Sequence, residues 1–351
     1  MTGKSLLTAI VCALCVATVL QAGATKQSDD RAKLDLSKLK VTGPYTHKNL
    51  SMYLIHGDSH DSTDYATLTE AMAKRRVTIR ETDEETISEL LISYTGSDPL
   101  FLQEGDRITG GNQDRILVTS LVVPPQSKNI KVPTMCIERD RWSEGTNGKF
   151  FESTDNKALA PKSVRSAAKG EKSQGKVWKE VENSKAQYAR FFLRRMGGKV
   201  YAGSSSLNTE LDAPEARKIS DTATRSLGGV LKNNLDSLGV AIVMDGRIEE
   251  VNIYPGHRLL AKLYPRIVQS YAVDAAVSDV PKKKTVLPKP ADIMKFMTTS
   301  RDVKTKRTEK VLPGNHLTVS CYKDGHVMFD TEYAHAIVHR QWMSPMKATR
   351  N

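Results

Sequence analysis

From Val77 to Glu138 the chain reads as short alternating or β-branched runs divided by turn residues. Val77-Thr78-Ile79-Arg80-Glu81 alternates, and Ile87–Tyr94, Leu100–Leu102, Ile116–Val123 and Ile130–Ile137 follow. Gly96-Ser97-Asp98-Pro99, Gly110-Gly111-Asn112 and Pro124-Pro125 separate them. This texture predicts a mostly antiparallel sheet or sandwich. Ahead of it, Met52–His56 reads as a strand, and Thr67 with Glu70 has the capping-box spacing of a helix start. Residues 143–215 are polar and helix-leaning, with apolar residues at helical spacing in Val177–Val181 and Tyr188–Met196, and Asp221–Leu235 reads as a further helix. Val240–Met244 and Arg247–Tyr254 flank Asp245-Gly246, a strong hairpin signal, and Leu259–Val277 has the spacing of a helix packed on that hairpin. Pro281 to Pro290 reads as a basic linker. Beyond it, His316–Cys321 and His326–Phe329 read as another hairpin. The expected class is α+β: a β-rich N-terminal half with inserted helices and a C-terminal hairpin-helix unit. The expected division is a leader over 25–45, a main domain over 46–280, and C-terminal strands over 291–351 packing on it.

The first residues follow a different pattern. Lys4 precedes Leu6–Leu20, which carries no charge, and Ala22-Gly23-Ala24 supplies small residues where a signal peptidase reads. An apolar run of about 15 residues is shorter than the roughly 20 a spanning helix needs. The reading is a cleaved secretory signal with Thr25 as the new N-terminus, hence a periplasmic or secreted protein. Neither Cys12 nor Cys15 has the Leu-small-small context of a lipid-attachment cysteine. Later segments contain no run apolar and long enough to cross a membrane.

The formal net charge is +12, and Lys4 is the sole charge in the signal. A basic chain is drawn to anionic envelope polymers, lipid headgroups or phosphorylated ligands. Specific nucleic-acid binding is not expected, because Lys and Arg are dispersed and aromatics, at 6%, are too few for a stacking platform. After cleavage two cysteines remain, Cys136 and Cys321. In an oxidising compartment they either pair or sit apart as small apolar groups.

The candidate chemistry gathers around the end of the β-rich segment. Arg115 and Arg141 offer guanidinium forks for carboxylate or phosphate, Trp142 a flat face for a base or sugar, and Gln113 both donors and acceptors. Gly110 and Gly111 let backbone amides approach a ligand, and Glu138 could serve as general base. The alternative is structural: an Arg115–Glu138 salt bridge with Trp142 as a core plug. His56, Asp58, His60, Asp61 and Asp64 carry metal-ligating atoms but match no established spacing, and His335 and His339, four apart, lack a third ligand. No metal or cofactor is expected. The nucleophile-elbow, phosphate-loop, dinucleotide and zinc-protease motifs are missing, and Cys136 sits in an apolar strand.

The stretch Gly105-Asp106-Arg107-Ile108-Thr109-Gly110-Gly111-Asn112-Gln113-Asp114-Arg115, continued through Pro133, Cys136, Glu138 and Arg141-Trp142, resembles the ARG and Rhodanese-Phosphatase-superfamily-associated Protein domain family. Leu68-Thr69-Glu70-Ala71, Gly239–Gly246 and Ser270–Ala275 agree with it. The family keeps company with ADP-ribosylglycohydrolases and rhodanese-like phosphatases, so the resemblance implies nucleotide, ADP-ribose or phosphate metabolism. Asp114 stands where the family often has Asn, placing a negative charge beside any anionic ligand. Together these point to an exported domain binding an anionic nucleotide- or sugar-phosphate-like ligand. The alternatives are a hydrolase using Glu138 and an envelope-associated protein held by its basic surface.

Overall fold

Three antiparallel hairpin systems from distant parts of the chain meet in one eight-stranded sheet. In this computed structural model, which describes residues 34–84, 86–143, 148–154, 158–197, 204–278 and 285–346, the strand order is Lys40–His47, Leu50–His56, Ser237–Met244, Arg247–Ile253, Ala336–Met343, Val327–Tyr333, Asn315–Tyr322 and Val303–Leu312. A second sheet closes on itself as a six-stranded barrel in the order Ser127–Cys136, Glu89–Tyr94, Val77–Glu81, Phe150–Ser153, Arg107–Gly110 and Arg115–Leu117. Between the two lies a three-stranded sheet of Ala66–Thr67, Leu100–Leu102 and Leu121–Val123. The class is α+β, and the β-rich N-terminal half is antiparallel apart from the parallel pairing of Ala66–Thr67 with Leu100–Leu102. Among the described residues no helix is long and apolar enough to cross a membrane.

The local signals act as their physics requires. Thr67 accepts from the Glu70 amide while the Glu70 carboxylate takes the Thr67 N–H at 2.9 Å, the reciprocal capping box. Asp245 and Gly246 have φ of 51° and 76°, the left-handed pair a two-residue hairpin turn needs. In the large sheet the side-chain period of two decides which layer each residue joins. Met52, Leu54, Val240 and Ile242 face the helices Pro214–Leu227 and His257–Val277. Tyr53, Ile55, Ala241 and Val243 face the opposite side, where Ile293 and Met297 of the Pro290–Thr298 helix cover them. Ile79, Leu90, Ile92, Leu117, Val132 and Phe151 fill the barrel. The Gln174–Met196 helix packs Val177, Val181, Tyr188 and Phe192 in one cluster with Ile116 and Ile137.

One expectation changes. The stretch expected to be a leader is built into the fold from its later part, with Asp35 capping a short turn and Lys40–His47 forming an edge strand. Its residues alternate exposed and half-buried, so one solvated face dilutes the apolar signal. The C-terminal strands, expected to pack on the main domain, join it by continuing its sheet, through the pairing of Val251 with Trp342. Both cysteines are free, Cys136 buried in the barrel and Cys321 in the large sheet. The expected signal segment, residues 1–24, and Pro281–Lys284 of the expected linker lie outside the described residues.

Charge is buried where the layers meet. Arg165 donates to Glu104 at 2.8 Å and to Glu250 at 2.7 Å, and Lys169 reaches Glu104 at 2.6 Å. All four are buried, and the cluster is neutral by pairing. Gln341 bridges Glu104 and Glu250, and Tyr271 donates to Glu250. His339 completes the seam, bonded to Ser120 and Asn252 at 2.9 Å each and stacked on Tyr254. Burial, with Lys169 beside it, pushes its pKa down to about 3, so the ring is neutral.

Candidate functional site

The bent chain that leaves the strand Ser127–Cys136 sets the geometry, with Ile137 and Glu138 buried and Arg139 and Asp140 exposed. Glu138 turns inward. Its Oε2 accepts from the Asp114 amide at 3.0 Å and from Arg141 at 3.0 and 2.7 Å. Arg141 also donates to the carbonyls of Gly111 at 2.8 Å and Gly110 at 3.3 Å. Glu138 and Arg141 thus clasp the Gly110-Gly111 turn. Both glycines have positive φ, and a Cβ on Gly111 would meet the Phe151 ring at 2.3 Å.

Arg115 is placed elsewhere, fully buried at 0% exposure. Its guanidinium pairs with Glu81 at 3.3 Å, bonds Gln113 Oε1 at 3.3 Å, and contacts Cys136 Sγ. Gln113 also donates to the Arg139 carbonyl at 3.0 Å. Arg115 therefore pairs with Glu81 and not with Glu138, and it does not share a surface with Trp142, which is 53% exposed. Burial raises the Cys136 thiol to about 11, against the Arg115 charge beside it, so the thiolate a nucleophile needs is disfavoured.

Asp114, the departure noted above, is the hub of this corner. One oxygen accepts from Thr109 Oγ1 at 2.7 Å and the Gly110 amide at 3.1 Å. The other accepts from Ser206 at 2.5 Å and Asn208 at 2.9 Å. A carboxylate here binds the barrel turn to the 204–208 segment.

The two residues between Glu138 and Arg141 are exposed. Arg139 and Asp140, with Trp178, Glu182 and Lys185 of the Gln174–Met196 helix and Ser205, line a cleft of about 420 Å³. The Arg139 guanidinium lies over the Trp178 ring, 5.7 Å from its centroid. Among the described residues its counter-charge is Glu182 at 3.7 Å, with both side chains more than half exposed. Ser205 Oγ accepts from the amides of Arg139 and Asp140 at 3.1 and 3.0 Å, leaving its hydrogen to donate. Lys185 is committed to Glu210 at 2.7 Å and to the Ser206 carbonyl at 2.8 Å, fixing the cleft wall. The Trp178 Nε1 is buried and has no partner among the described residues. Arg139 and Asp140 escaped the sequence reading because a bend after Cys136, which no local residue pattern announces, turns both of them to solvent. Trp178 lay in plain view at helical spacing, and only its partner across the fold was missing.

The other motifs disperse. His60 Nε2 meets the Ile337 carbonyl at 3.1 Å, Asp61 accepts from Thr63 and Tyr65, and Asp64 pairs with Lys262 at 2.9 Å. His335 sits in a turn at φ 67° while His339 is in the buried seam. Comparisons with curated proteins and with solved structures returned no match. The family comparison matches residues 38–340, from the edge strand to the last strand of the large sheet. Matched over most of its length, the chain belongs to the ARG and Rhodanese-Phosphatase-superfamily-associated Protein domain family.

Proposed function

We propose that the protein is an exported binding domain whose cleft takes a small anionic ligand carrying a planar ring or a sugar, of the nucleotide or sugar-phosphate kind. The observation that carries this is the Arg139 guanidinium held over Trp178 at the cleft, opposed among the described residues by one exposed carboxylate at 3.7 Å. Exposed pairs of this kind are worth about 0–1 kcal/mol, so a phosphate can take the place of Glu182 at little cost. Guanidinium, indole and a free hydroxyl hydrogen supply the charge, the flat contact and the directional donor such a ligand uses. The family's name, which sets it beside enzymes of ADP-ribose and phosphate chemistry, agrees by analogy. Glu138, turned into the Arg141 clasp, has no part in this reading.

Titration with ADP-ribose, AMP and glucose phosphate, read by tryptophan fluorescence, tests it. A saturable change that Trp178→Phe removes is expected, and a flat response to all three would end the proposal. Export rests on Lys4, the uncharged Leu6–Leu20 run and Ala22-Gly23-Ala24. A secreted product beginning at Thr25 is the expected outcome.

A second reading, adhesion to an anionic envelope polymer, is favoured by Lys304, Lys306 and Lys310. All three are exposed on the edge strand Val303–Leu312, with Lys306 and Lys310 on one of its faces. Retention on cell-wall material that falls steeply with salt and is lost when these lysines become Gln is its signature.

A further inference from the structure

We propose that Thr42, His56 and Asp236 form an acyl-transfer site that hydrolyses carboxylic esters presented by large substrates, independently of the cleft. Thr42 Oγ1 lies 2.7 Å from His56 Nε2, and His56 Nδ1 lies 2.8 Å from Asp236 Oδ1. This is the order of contacts that a hydroxyl nucleophile, an imidazole base and an orienting carboxylate require, whatever the fold. Thr42 and His56 are 14 residues apart on one hairpin, and the large sheet brings Asp236, 180 residues further along, beside His56. Thr42 is on its edge strand, His56 ends the neighbouring strand, and Asp236 precedes the third.

Burial follows the roles. The Thr42 residue is exposed, so an acyl group can reach its hydroxyl, while the imidazole is only 9% exposed and held from both nitrogens. With Nδ1–H donating to Asp236, Nε2 is left as the acceptor facing the Thr42 hydroxyl. Asp236 is 70% exposed, so it acts as a positioning residue more than as a desolvated counter-charge. The Tyr45 hydroxyl, 3.5 Å from Thr42 Oγ1, is the side-chain donor beside the position where an oxyanion forms. A register shift between Thr42 and Tyr45 brings the two to the same place. The site stands open at a sheet edge, which suits an ester projecting from a polymer or a surface better than an engulfed small molecule.

In the reaction, Thr42 Oγ1 bonds to the ester carbonyl carbon as its proton passes to His56 Nε2. Tyr45 donates to the resulting oxyanion. Collapse breaks the carbon–oxygen bond to the alcohol, which leaves with the proton from His56. Water attacks the threonyl ester by the same route, releasing the acid and restoring Thr42. Ester and water are consumed, acid and alcohol formed, with no other reactant.

The full chain is treated with p-nitrophenyl acetate and, separately, with a fluorophosphonate followed by peptide mass mapping. The expected result is turnover and a label on Thr42. Thr42→Ser should keep both, while Thr42→Val and His56→Gln should each lower turnover by about 100-fold or more. Asp236→Asn should lower kcat with KM unchanged. Thr42→Val replaces an exposed β-branched residue by another, so an unchanged melting temperature certifies its fold. Equal turnover by wild type and Thr42→Val, no turnover by either, or a label on another residue would overturn the proposal. None of these outcomes touches the cleft, whose ligand is read by Trp178.

Discussion

The buried seam at Arg165 and the cleft at Arg139 use the same chemical groups to opposite ends. Each has a guanidinium beside an aromatic ring, Arg165 at 5.7 Å from Tyr271 and Arg139 at 5.7 Å from Trp178. In the seam the guanidinium is buried and satisfied by two carboxylates and a carbonyl. In the cleft it is 60% exposed and loosely opposed. Low dielectric makes the first arrangement strong and costly to break, and water makes the second cheap to exchange. Residue type alone therefore separates nothing. Burial decides which arginine holds the fold and which can hold a ligand.

The comparison breaks most sharply at Arg165. Arg165→Met leaves Glu104 and Glu250 buried without their shared cation, and a loss of about 3–5 kcal/mol in urea unfolding is expected. The acid branch gives a second reading. Burial pushes the Glu250 carboxyl up, but Arg165 and its hydrogen-bond partners hold it down at about 2. In the wild type this contribution is present above the unfolded value and fades as pH falls from about 4.5 towards 2. Without the guanidinium the depression is gone, so the variant should regain relative stability on acidification. A variant whose stability falls with acid just as the wild type does would show that Arg165 is not what holds Glu250 ionised.

Asp274 sharpens the same point at the margin of the seam. Burial raises its carboxyl to about 6, against a hydrogen bond from Tyr188 at 2.5 Å. A raised acid favours folding below its unfolded value near 4 and loses that contribution as pH rises through about 6. Asp274→Asn keeps an acceptor for Tyr188 and removes the charge. It should gain roughly 2 kcal/mol at pH 7 and flatten stability between pH 4 and 7. An Asn variant weaker than wild type at pH 7 would mean the ionised carboxylate is the better partner.

Asp114 links the two regions' logic, being buried yet serving a surface feature. Asp114→Asn replaces a charged acceptor of five donors, Arg141 at 3.4 Å among them, by a neutral one, and a loss of about 1–2 kcal/mol is expected. Because the lost bonds tether Ser206 and Asn208, the 204–206 wall should exchange amide hydrogens faster and the cleft bind more weakly. Unchanged exchange there would uncouple the carboxylate from the cleft.

What was legible in the sequence was local. The Thr67–Glu70 box, the Asp245-Gly246 turn and the helix through Tyr264 and Tyr271 each advertise themselves within a few residues. The resemblance carried by Gly105–Trp142 was legible too, because it rests on residue identities and order. Barrel closure was not, since it needs Phe151 to pair with Ile79 and Gly110 across long stretches of chain. Val303–Leu312 hid behind its lysines, whose placement on an open edge discourages pairing with other chains. The site suffered the same way. Arg115, Glu138 and Arg141 have the chemistry of binding residues, but whether a guanidinium faces Glu81, a turn carbonyl or open water is set by strand register. Residue 139 lies in a bend beyond the strand, whose direction no local pattern states.

The smallest stability effect belongs to the residue with the largest expected effect on binding. Arg139→Ala removes an exposed side chain and a weak pair with Glu182, so unfolding should move by no more than about 0.5 kcal/mol. Yet the ring contact and the anion's counter-charge go together, and any ligand-induced rise in melting temperature should vanish. Arg139→Lys separates the two contributions, retaining charge while losing the flat stacking fork. If Lys restores the ligand-induced rise fully, charge alone recruits the ligand and the indole is only a wall. If Lys restores little, the guanidinium on Trp178 is the recognition element, and the contrast with Arg165 is one of burial and not of chemistry.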